Sequence, residues 1–168
     1  MIDRRLVLTA GLSLLAALRA LRPGDARATD KATETFEVTK TPEEWRRQLT
    51  PAQYGILREH GTERPYSSPL NKEHRKGTFA CAGCDLPLFA SDTKFDSGTG
   101  WPSFYQPLPD AVGTTEDRSY MMLRTEVHCR RCGGHLGHVF DDGPKPTGLR
   151  YCMNGLSLTF KPANASAS

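Results

Sequence analysis

The stretch at residues 121–140, MMLRTEVHCRRCGGHLGHVF, decides the fold. Leu123 and Val127 place apolar side chains on one face of a strand that runs up to Cys129. Past Cys132 two glycines turn the chain, and a second apolar run follows. Alternation on both sides of a Cys-x-x-Cys turn predicts a β-hairpin with the two cysteines at its tip.

A second pair, Cys81 and Cys84, repeats this arrangement. Residues 78–80 lead into the pair, residues 86–89 lead out of it, and Gly, Pro and Asp punctuate the chain from Gly77 onward. Short β-like runs between such residues predict antiparallel sheet. No strand-helix-strand alternation surrounds either pair, which argues against a thioredoxin-type redox motif at the start of a helix.

Two Cys-x-x-Cys pairs supply the four thiolates of a tetrahedral structural zinc site. The predicted ligands are Cys81, Cys84, Cys129 and Cys132. However, 44 residues lie between Cys84 and Cys129, which exceeds the commonest spacings of four-cysteine zinc sites. On spacing alone, disulfides or redox-active pairs remain alternatives, and an exported protein meets an oxidising compartment that favours disulfides.

The fifth cysteine, Cys152, has no sequence partner and is either an inert buried thiol or a nucleophile. In a strand, Arg150, Cys152 and Asn154 project to one side. A cation beside the thiol favours the thiolate, so this face is a candidate catalytic surface. The period is interrupted at Gly155, where we expect a β-bulge that exchanges the two faces of the strand.

Two further patches have the chemistry to complete a site. His135 and His138 are candidate proton donors to a substrate oxygen, and the nearby pair Asp141-Asp142 is a candidate to orient one of the rings. In the segment 97–104, SGTGWPSF, Trp101 stands between Gly and Pro and offers a rigid apolar wall for a ligand. On composition alone, histidines and tryptophans of this kind are also common in protein cores.

The N-terminus predicts export. In residues 1–28, Arg4-Arg5 precedes an apolar run of thirteen residues at 6–18, and Ala26-Arg27-Ala28 has the form of a cleavage site. This is the pattern of a signal peptide, and the run is too short for a membrane anchor, which needs about 20 apolar residues. Adjacent arginines favour the twin-arginine route, with an ordinary Sec signal as the alternative. We therefore expect a periplasmic protein without a stable membrane anchor.

The net positive charge of the chain lies in the predicted signal peptide. The chain carries 22 basic and 19 acidic residues, of which five and two lie in residues 1–28, so the remainder has 17 of each. A neutral mature chain gives no reason to expect binding to nucleic acid. Residues 29–40 lack apolar periodicity and predict a flexible leader, and residues 163–168 predict a disordered tail.

Between them, residues 41–162 are expected to form one domain that begins with two short helices. Thr41-Pro42 and Thr50-Pro51 each place Thr at an N-cap and Pro at the first helical position, with Glu or Gln three residues after the cap. We expect the first helix to end near residue 49 and the second near residue 60, where Gly61 caps it.

Taken together, these motifs resemble the methionine sulfoxide reductase B family. The resemblance covers about residues 43–161. It rests on the two Cys-x-x-Cys pairs, on SGTGWPSF at 97–104, on CRRCGGHLGHVF at 129–140 and on RYCMN at 150–154. It implies a mainly β fold of two antiparallel sheets with short N-terminal helices and a four-cysteine clamp that holds one structural Zn²⁺.

The resemblance also implies a reaction, in which Cys152 attacks the sulfur of a methionine R-sulfoxide, free or in a protein, and becomes a sulfenic acid. The histidines protonate or hydrogen-bond the sulfoxide oxygen, and aromatic side chains bind the substrate. The implied catalytic residues are Cys152, His135, His138, Asn154, Arg150 and Asp142, and the implied substrate-binding residues are Trp101 and Phe104.

One position departs from the family pattern. Many members have a resolving cysteine where this chain has Thr99. We therefore expect a one-cysteine enzyme whose sulfenic acid is reduced by a thioredoxin-like protein or another external thiol. Separately, we expect a monomer. Two other classes of function stay open: a non-catalytic zinc module that binds partners through Trp101 and Phe104, and a thiol-disulfide oxidoreductase that uses Cys81 or Cys84.

Overall fold

A computed structural model of the protein describes residues 35–163. The predicted signal peptide at 1–28, the beginning of the predicted leader and all but the first residue of the predicted tail lie outside the described residues. No helix within residues 35–163 is long and apolar enough to cross a membrane.

Two α-helices open the described chain, α1 (Pro42–Gln48) and α2 (Pro51–Glu59). Their predicted caps are confirmed. The Thr41 side chain accepts from the backbone N–H of Glu44, the Glu44 side chain accepts from the backbone N–H of Thr41, and the second helix repeats this capping box. The predicted end of α2 differs in one detail, because His60 rather than Gly61 adopts the left-handed conformation, at φ 54°.

Nine β-strands follow: β1 (Gly77–Cys81), β2 (Pro87–Ala90), β3 (Lys94–Phe95), β4 (Ser103–Phe104), β5 (Val112–Asp117), β6 (Arg124–Cys129), β7 (His135–Phe140), β8 (Arg150–Met153) and β9 (Leu158–Pro162). Short 3-10 turns lie at Pro69–Lys72, Ser91–Thr93, Ser119–Met121 and Gly155–Ser157. The strands form two antiparallel sheets, one of three strands in the order β2-β1-β9 and one of six in the order β3-β4-β8-β7-β6-β5. This confirms the expected fold class.

The hairpin at residues 121–140 is confirmed, with a later start than predicted. β6 begins at Arg124, and Leu123 is 69% exposed instead of lying on a buried face. Val127, by contrast, is fully buried as predicted. The residues before β6 belong to the hairpin end that joins it to β5.

The predicted bulge at Gly155 is wrong. β8 and β9 belong to different sheets, and the 3-10 turn Gly155–Ser157 carries the chain from one sheet to the other. A side chain at Gly155 would collide with the Ser68 hydroxyl, so close packing requires glycine here. The two apolar periods on either side of Gly155 are therefore two strands rather than one strand with exchanged faces.

Aromatic side chains fill the core. Phe79, Phe89 and Phe104 are fully buried. The ring of Phe104 stacks on Phe89 at 4.4 Å and meets Phe79 edge-on at 4.9 Å. This cluster joins β1 and β2 of the small sheet to β4 of the large one, so the framework around the site is rigid.

The described part of the predicted leader packs against the domain. The backbone N–H of Val38 donates to the carbonyl of Arg131, and the ring of Phe36 lies edge-on to His128 at 5.7 Å. The expectation of a flexible segment does not hold for these residues, because they contact the turn that carries the second cysteine pair.

Candidate zinc centre and active site

Four cysteine sulfurs converge at the tips of two hairpins. The Sγ atoms of Cys81 and Cys132 are 3.8 Å apart, those of Cys84 and Cys129 are 3.4 Å apart, and all four lie within 4.8 Å of one another. A tetrahedral zinc with Zn–S bonds of about 2.3 Å places its sulfurs about 3.8 Å apart. The set therefore fits zinc, whereas a disulfide needs about 2.05 Å, and all four thiols are unpaired.

The two cysteine turns have the same backbone geometry. The carbonyl of Cys81 accepts from the N–H of Asp85 and that of Cys129 accepts from the N–H of Gly133, each at 2.8 Å. Asp85 and Gly133 are both left-handed, at φ 64° and 65°. Because each turn is closed by its own backbone hydrogen bonds, the two halves of the zinc centre are built locally and meet when the sheets pack.

Cys152 lies in a separate cavity of about 130 Å³. Predicted site residues Trp101, His138 and Asn154 line this cavity with it. The strand register explains the arrangement, since Cys152 of β8 is directly opposite His138 of β7. Side chains of directly opposed residues project from the same face of a sheet, so the thiol and the imidazole share one surface.

Burial raises the pKa of the Cys152 thiol, and Thr99, Arg150 and Ser103 oppose that shift. The hydroxyl of Thr99 lies 3.8 Å from the Cys152 sulfur, and the Arg150 guanidinium places a positive charge nearby. Thr99 is itself held by the Ser97 hydroxyl at 2.8 Å. Thr99, the position at which the resemblance implies a second cysteine in many family members, therefore places a hydroxyl beside the Cys152 thiol.

Arg150 is fixed by a bidentate ion pair. Its Nε and Nη2 donate to the two carboxylate oxygens of Asp142, at 2.8 and 2.9 Å, and its guanidinium lies over the ring of Phe140 at 4.4 Å. The guanidinium lowers the pKa of the Asp142 carboxyl. Asp142 thus orients the arginine and does not orient a histidine, which corrects one predicted role.

His138 has a different carboxylate partner. Its Nε2 lies 2.7 Å from Oδ2 of Asp117, which also receives Nη2 of Arg124 at 2.6 Å. Burial lowers the pKa of His138, and the hydrogen bond with Asp117 opposes that effect. Asp117 was missed by the sequence reasoning, because it lies 21 residues from His138 in the chain and reaches it only through the pairing of β5, β6 and β7.

His135 is adjacent to His138 but is not among the described residues that line the cavity. It is 2% exposed, its ring is 5.5 Å from that of His138, and its Nδ1 lies 2.7 Å from Oε1 of Glu126. The same Glu126 oxygen is 3.0 Å from Nδ1 of His60 on the surface. The structure therefore brings one of the two predicted histidines to the cavity and joins the other to a second, unforeseen carboxylate.

Glu63 is a third residue that sequence reasoning missed, after Asp117 and Glu126. Its buried carboxylate accepts from the backbone N–H groups of Gly155 at 2.6 Å and Leu156 at 3.0 Å. Its backbone N–H donates to Oδ1 of Asn154 at 3.0 Å, and its carbonyl accepts from the indole N–H of Trp101 at 3.1 Å. Burial raises the pKa of the Glu63 carboxyl. One residue thus holds both Trp101 and Asn154 in place.

The sequence model of the SelR domain matches residues 49–162. The chain belongs to the methionine sulfoxide reductase B family. It is 59% identical over 127 residues to the peptide methionine sulfoxide reductase MsrB of Agrobacterium fabrum, covering 75% of this chain and 94% of that protein. The MsrB proteins of Leptospira interrogans (57% over 127 residues; 75% and 97%) and Methanosarcina barkeri (59% over 125 residues; 74% and 88%) are similarly related.

Family membership and geometry together identify the four-cysteine cluster as the structural zinc site of the methionine sulfoxide reductase B family. The structure leaves one predicted residue out of the site. Phe104 is 0% exposed and stacked in the core, so it cannot touch a substrate, and its predicted substrate-binding role is wrong. It is the next strand residue after Ser103, which pairs with Cys152, and therefore points to the opposite face of the sheet.

Proposed function

We propose that this protein is a peptide-methionine (R)-S-oxide reductase that repairs oxidised methionine in proteins. One observation carries the proposal: a single thiol outside the zinc cluster, Cys152, directly opposes His138 in a cavity walled by Trp101. The family relatives named above carry the corresponding name, peptide methionine sulfoxide reductase.

In the proposed reaction the sulfur of Cys152 attacks the sulfoxide sulfur while the sulfoxide oxygen is protonated. The attack forms a transient S–S bond. The protonated oxygen then passes to the Cys152 sulfur while this S–S bond and the S–O bond of the substrate break, so methionine leaves, the substrate is reduced and Cys152 is oxidised to its sulfenic acid. His138, across the sheet from Cys152, is the proposed proton donor. The Trp101 ring is the proposed wall for the substrate methyl group, and Asn154 lines the cavity floor.

The remaining predicted residues act through these groups. Arg150, oriented by Asp142, opposes the effect of burial on the Cys152 thiol and thereby increases the thiolate fraction. His135 acts through the adjacent His138 ring. A zinc ion bound to the four cysteines would cross-link the two hairpins. It would have no chemical role in the proposed reaction at Cys152.

Regeneration requires an external reductant. The other cysteines are zinc ligands, and a hydroxyl occupies the contact position at Thr99. Two equivalents of a thiol, or one dithiol protein of the thioredoxin type, convert the Cys152 sulfenic acid back to the thiol and release water, with the reductant ending as a disulfide. The same clustering argues against a thiol-disulfide oxidoreductase that uses Cys81 or Cys84.

We also propose that the protein is exported to the periplasm and acts there as a monomer. The support is the signal-like sequence of residues 1–28. Mass spectrometry of the protein recovered from the periplasmic fraction should give an N-terminus at Thr29, and recovery of an uncleaved cytosolic chain would contradict export.

The decisive experiment supplies the separate R and S epimers of methionine sulfoxide with dithiothreitol as the reductant. We expect wild type to reduce the R epimer alone and Cys152→Ser to reduce neither. Without reductant, a dimedone adduct on Cys152 should form in amounts equal to the methionine released. Turnover by Cys152→Ser, or an intramolecular disulfide in place of the sulfenic acid, would overturn the proposal.

A further inference from the structure

The hairpin end between β5 and β6 exposes a run of apolar side chains, residues 120–123, which we call the apolar hairpin end. Their exposed fractions are 82% for Tyr120, 103% for Met121, 51% for Met122 and 69% for Leu123. Of the six exposed large hydrophobic residues within 35–163, four lie here in succession. Single exposed apolar residues are ordinary on protein surfaces, but a contiguous run marks an interaction surface.

The backbone holds these side chains outward. Tyr120 and Met121 both adopt the left-handed conformation, at φ 54° and 57°, although neither is glycine. Left-handed residues with a Cβ are unfavourable, and such conformations gather at functional surfaces where the surrounding structure maintains them. The supporting contacts are the donation of the Ser119 N–H to the Asp117 carboxylate at 2.8 Å and of the Met122 N–H to the Ser119 carbonyl at 3.1 Å.

Arg124 makes the apolar hairpin end continuous with the Cys152 cavity. Its side chain lines the cavity, and its guanidinium lies 5.8 Å from the centre of the Tyr120 ring. Its Nη2 also donates to Asp117, the partner of His138, at 2.6 Å. The exposed run is therefore at the rim of the cavity and shares a side chain with its wall.

The size of the cavity determines what must lie on that rim. A cavity of about 130 Å³ is the size of one side chain. When the oxidised methionine belongs to a protein, the residues before and after it must cross the surface next to the cavity. Methionine is among the residue types that are most often buried, and unfolding exposes the other apolar residues of the core together with it. Flexible thioether side chains, as at Met121 and Met122, adapt to many apolar partners.

We infer that the apolar hairpin end is the docking surface for the apolar residues that flank a methionine sulfoxide in an unfolded polypeptide. This inference rests on the proposed function. The surface contributes to the binding of the flanking chain and leaves the chemistry at Cys152 unchanged.

The test compares two substrates on the zinc-loaded protein, N-acetyl-methionine-R-sulfoxide amide and a nonapeptide with the R-sulfoxide between Leu and Val residues. The variant is Met121→Ser/Leu123→Ser, which keeps Tyr120 against Arg124. Removing two apolar side chains that the docked peptide would partly cover should lower kcat/KM for the peptide about tenfold and leave kcat/KM for the small substrate unchanged. The control is Ala52→Ser, which removes an exposed apolar side chain from helix α2 on a different surface and should affect neither substrate.

Equal losses on both substrates, or no loss on the peptide, would overturn the inference. Light scattering gives a further test. A dimeric wild type together with a monomeric double variant would also overturn the inference, because the surface would then bind a second copy of the chain. Fluorescence anisotropy of the labelled peptide on Cys152→Ser tests docking without turnover. When Met121→Ser/Leu123→Ser is added to Cys152→Ser, the labelled peptide should bind about tenfold more weakly. This result would support docking even if wild type did not reduce the sulfoxide, so the docking proposal and the proposed function can be contradicted independently.

Discussion

Cysteine has a different environment in the zinc centre and in the Cys152 cavity. At the zinc centre, two turns of matching geometry bring four sulfurs within 4.8 Å of one another. In the cavity, one sulfur stands opposite a histidine, 3.8 Å from the Thr99 hydroxyl and near the charge of Arg150. Four sulfurs within reach of one another can hold a metal ion, whereas the Cys152 sulfur faces a histidine, a hydroxyl and a cation.

The two regions also differ in how they are assembled. Each half of the zinc centre is closed by hydrogen bonds within a few residues of the cysteines, such as Gly133 to Cys129. The cavity depends on contacts between distant segments, such as Glu63 to Asn154, which are 91 residues apart. Substitutions at the zinc centre should thus affect stability first, and substitutions around the cavity should affect activity first.

The largest expected difference between the two regions comes from replacing one cysteine by serine in each of them. Zinc binding contributes on the order of 10 kcal/mol to the folding of small zinc domains, so Cys132→Ser should lose the bound zinc and the cooperative thermal transition. Cys152→Ser should keep one zinc per chain and a Tm within a few degrees of wild type, while turnover falls by more than about 10³-fold. Metal analysis, calorimetry and a turnover assay measure the three quantities.

The comparison between the regions would break if Cys132→Ser retained full zinc and wild-type Tm. It would break equally if Cys152→Ser unfolded. The first result would mean that the zinc centre does not stabilise the fold, and the second that Cys152 is a structural residue.

A smaller effect is expected at Glu63, where the cavity depends on a single buried carboxylate. Glu63→Ala leaves the N–H groups of Gly155 and Leu156 without their acceptor and should lower the free energy of unfolding by about 2–4 kcal/mol. It also releases the support of Trp101, so KM for the sulfoxide should rise more than kcat falls. Urea unfolding and steady-state kinetics provide both measurements.

The control for Glu63 is Glu59→Ala, at the exposed end of α2, which should change the free energy of unfolding by less than about 0.5 kcal/mol. If Glu63→Ala lowered stability and left KM unchanged, Glu63 would support the fold without supporting the cavity.

Local patterns made much of this molecule predictable. Each of several elements is determined by ten or twenty consecutive residues, in which periodicity and turn residues act directly. These elements are the capping boxes at Thr41 and Thr50, the two cysteine hairpins and the strand around Cys152. The two sheets and the zinc were further implied by several motifs in the order typical of one family, which no single motif could have shown.

Long-range contacts were beyond such patterns. In the sequence, Asp117, Glu126 and Glu63 look like ordinary surface acids. Strand pairing brings Asp117 to His138 and Glu126 to His135, and the loop after α2 brings Glu63 to the turn after β8. Phe104 was misassigned because proximity to Trp101 in the chain does not fix which face of a strand a side chain takes. The break at Gly155 was misread because a change of sheet and a bulge interrupt periodicity in the same way.

The smallest expected effect concerns the charge beside Cys152. Burial raises the pKa of the Cys152 thiol and the Arg150 guanidinium lowers it, so Arg150→Met should move the pKa of Cys152 further upward. Because the thiolate is the reactive form, the alkylation rate with iodoacetamide should rise at higher pH than in wild type and be lower at pH 7.5. The midpoint of the rate against pH gives the pKa directly.

Arg150→Lys separates charge from orientation. A lysine keeps the positive charge but cannot reproduce the bidentate pair with Asp142, so its alkylation midpoint should lie between those of wild type and Arg150→Met. A midpoint identical in all three proteins would show that the charge of Arg150 does not reach the sulfur. The activation of Cys152 would then be left to the Thr99 hydroxyl, which Thr99→Val removes without changing charge.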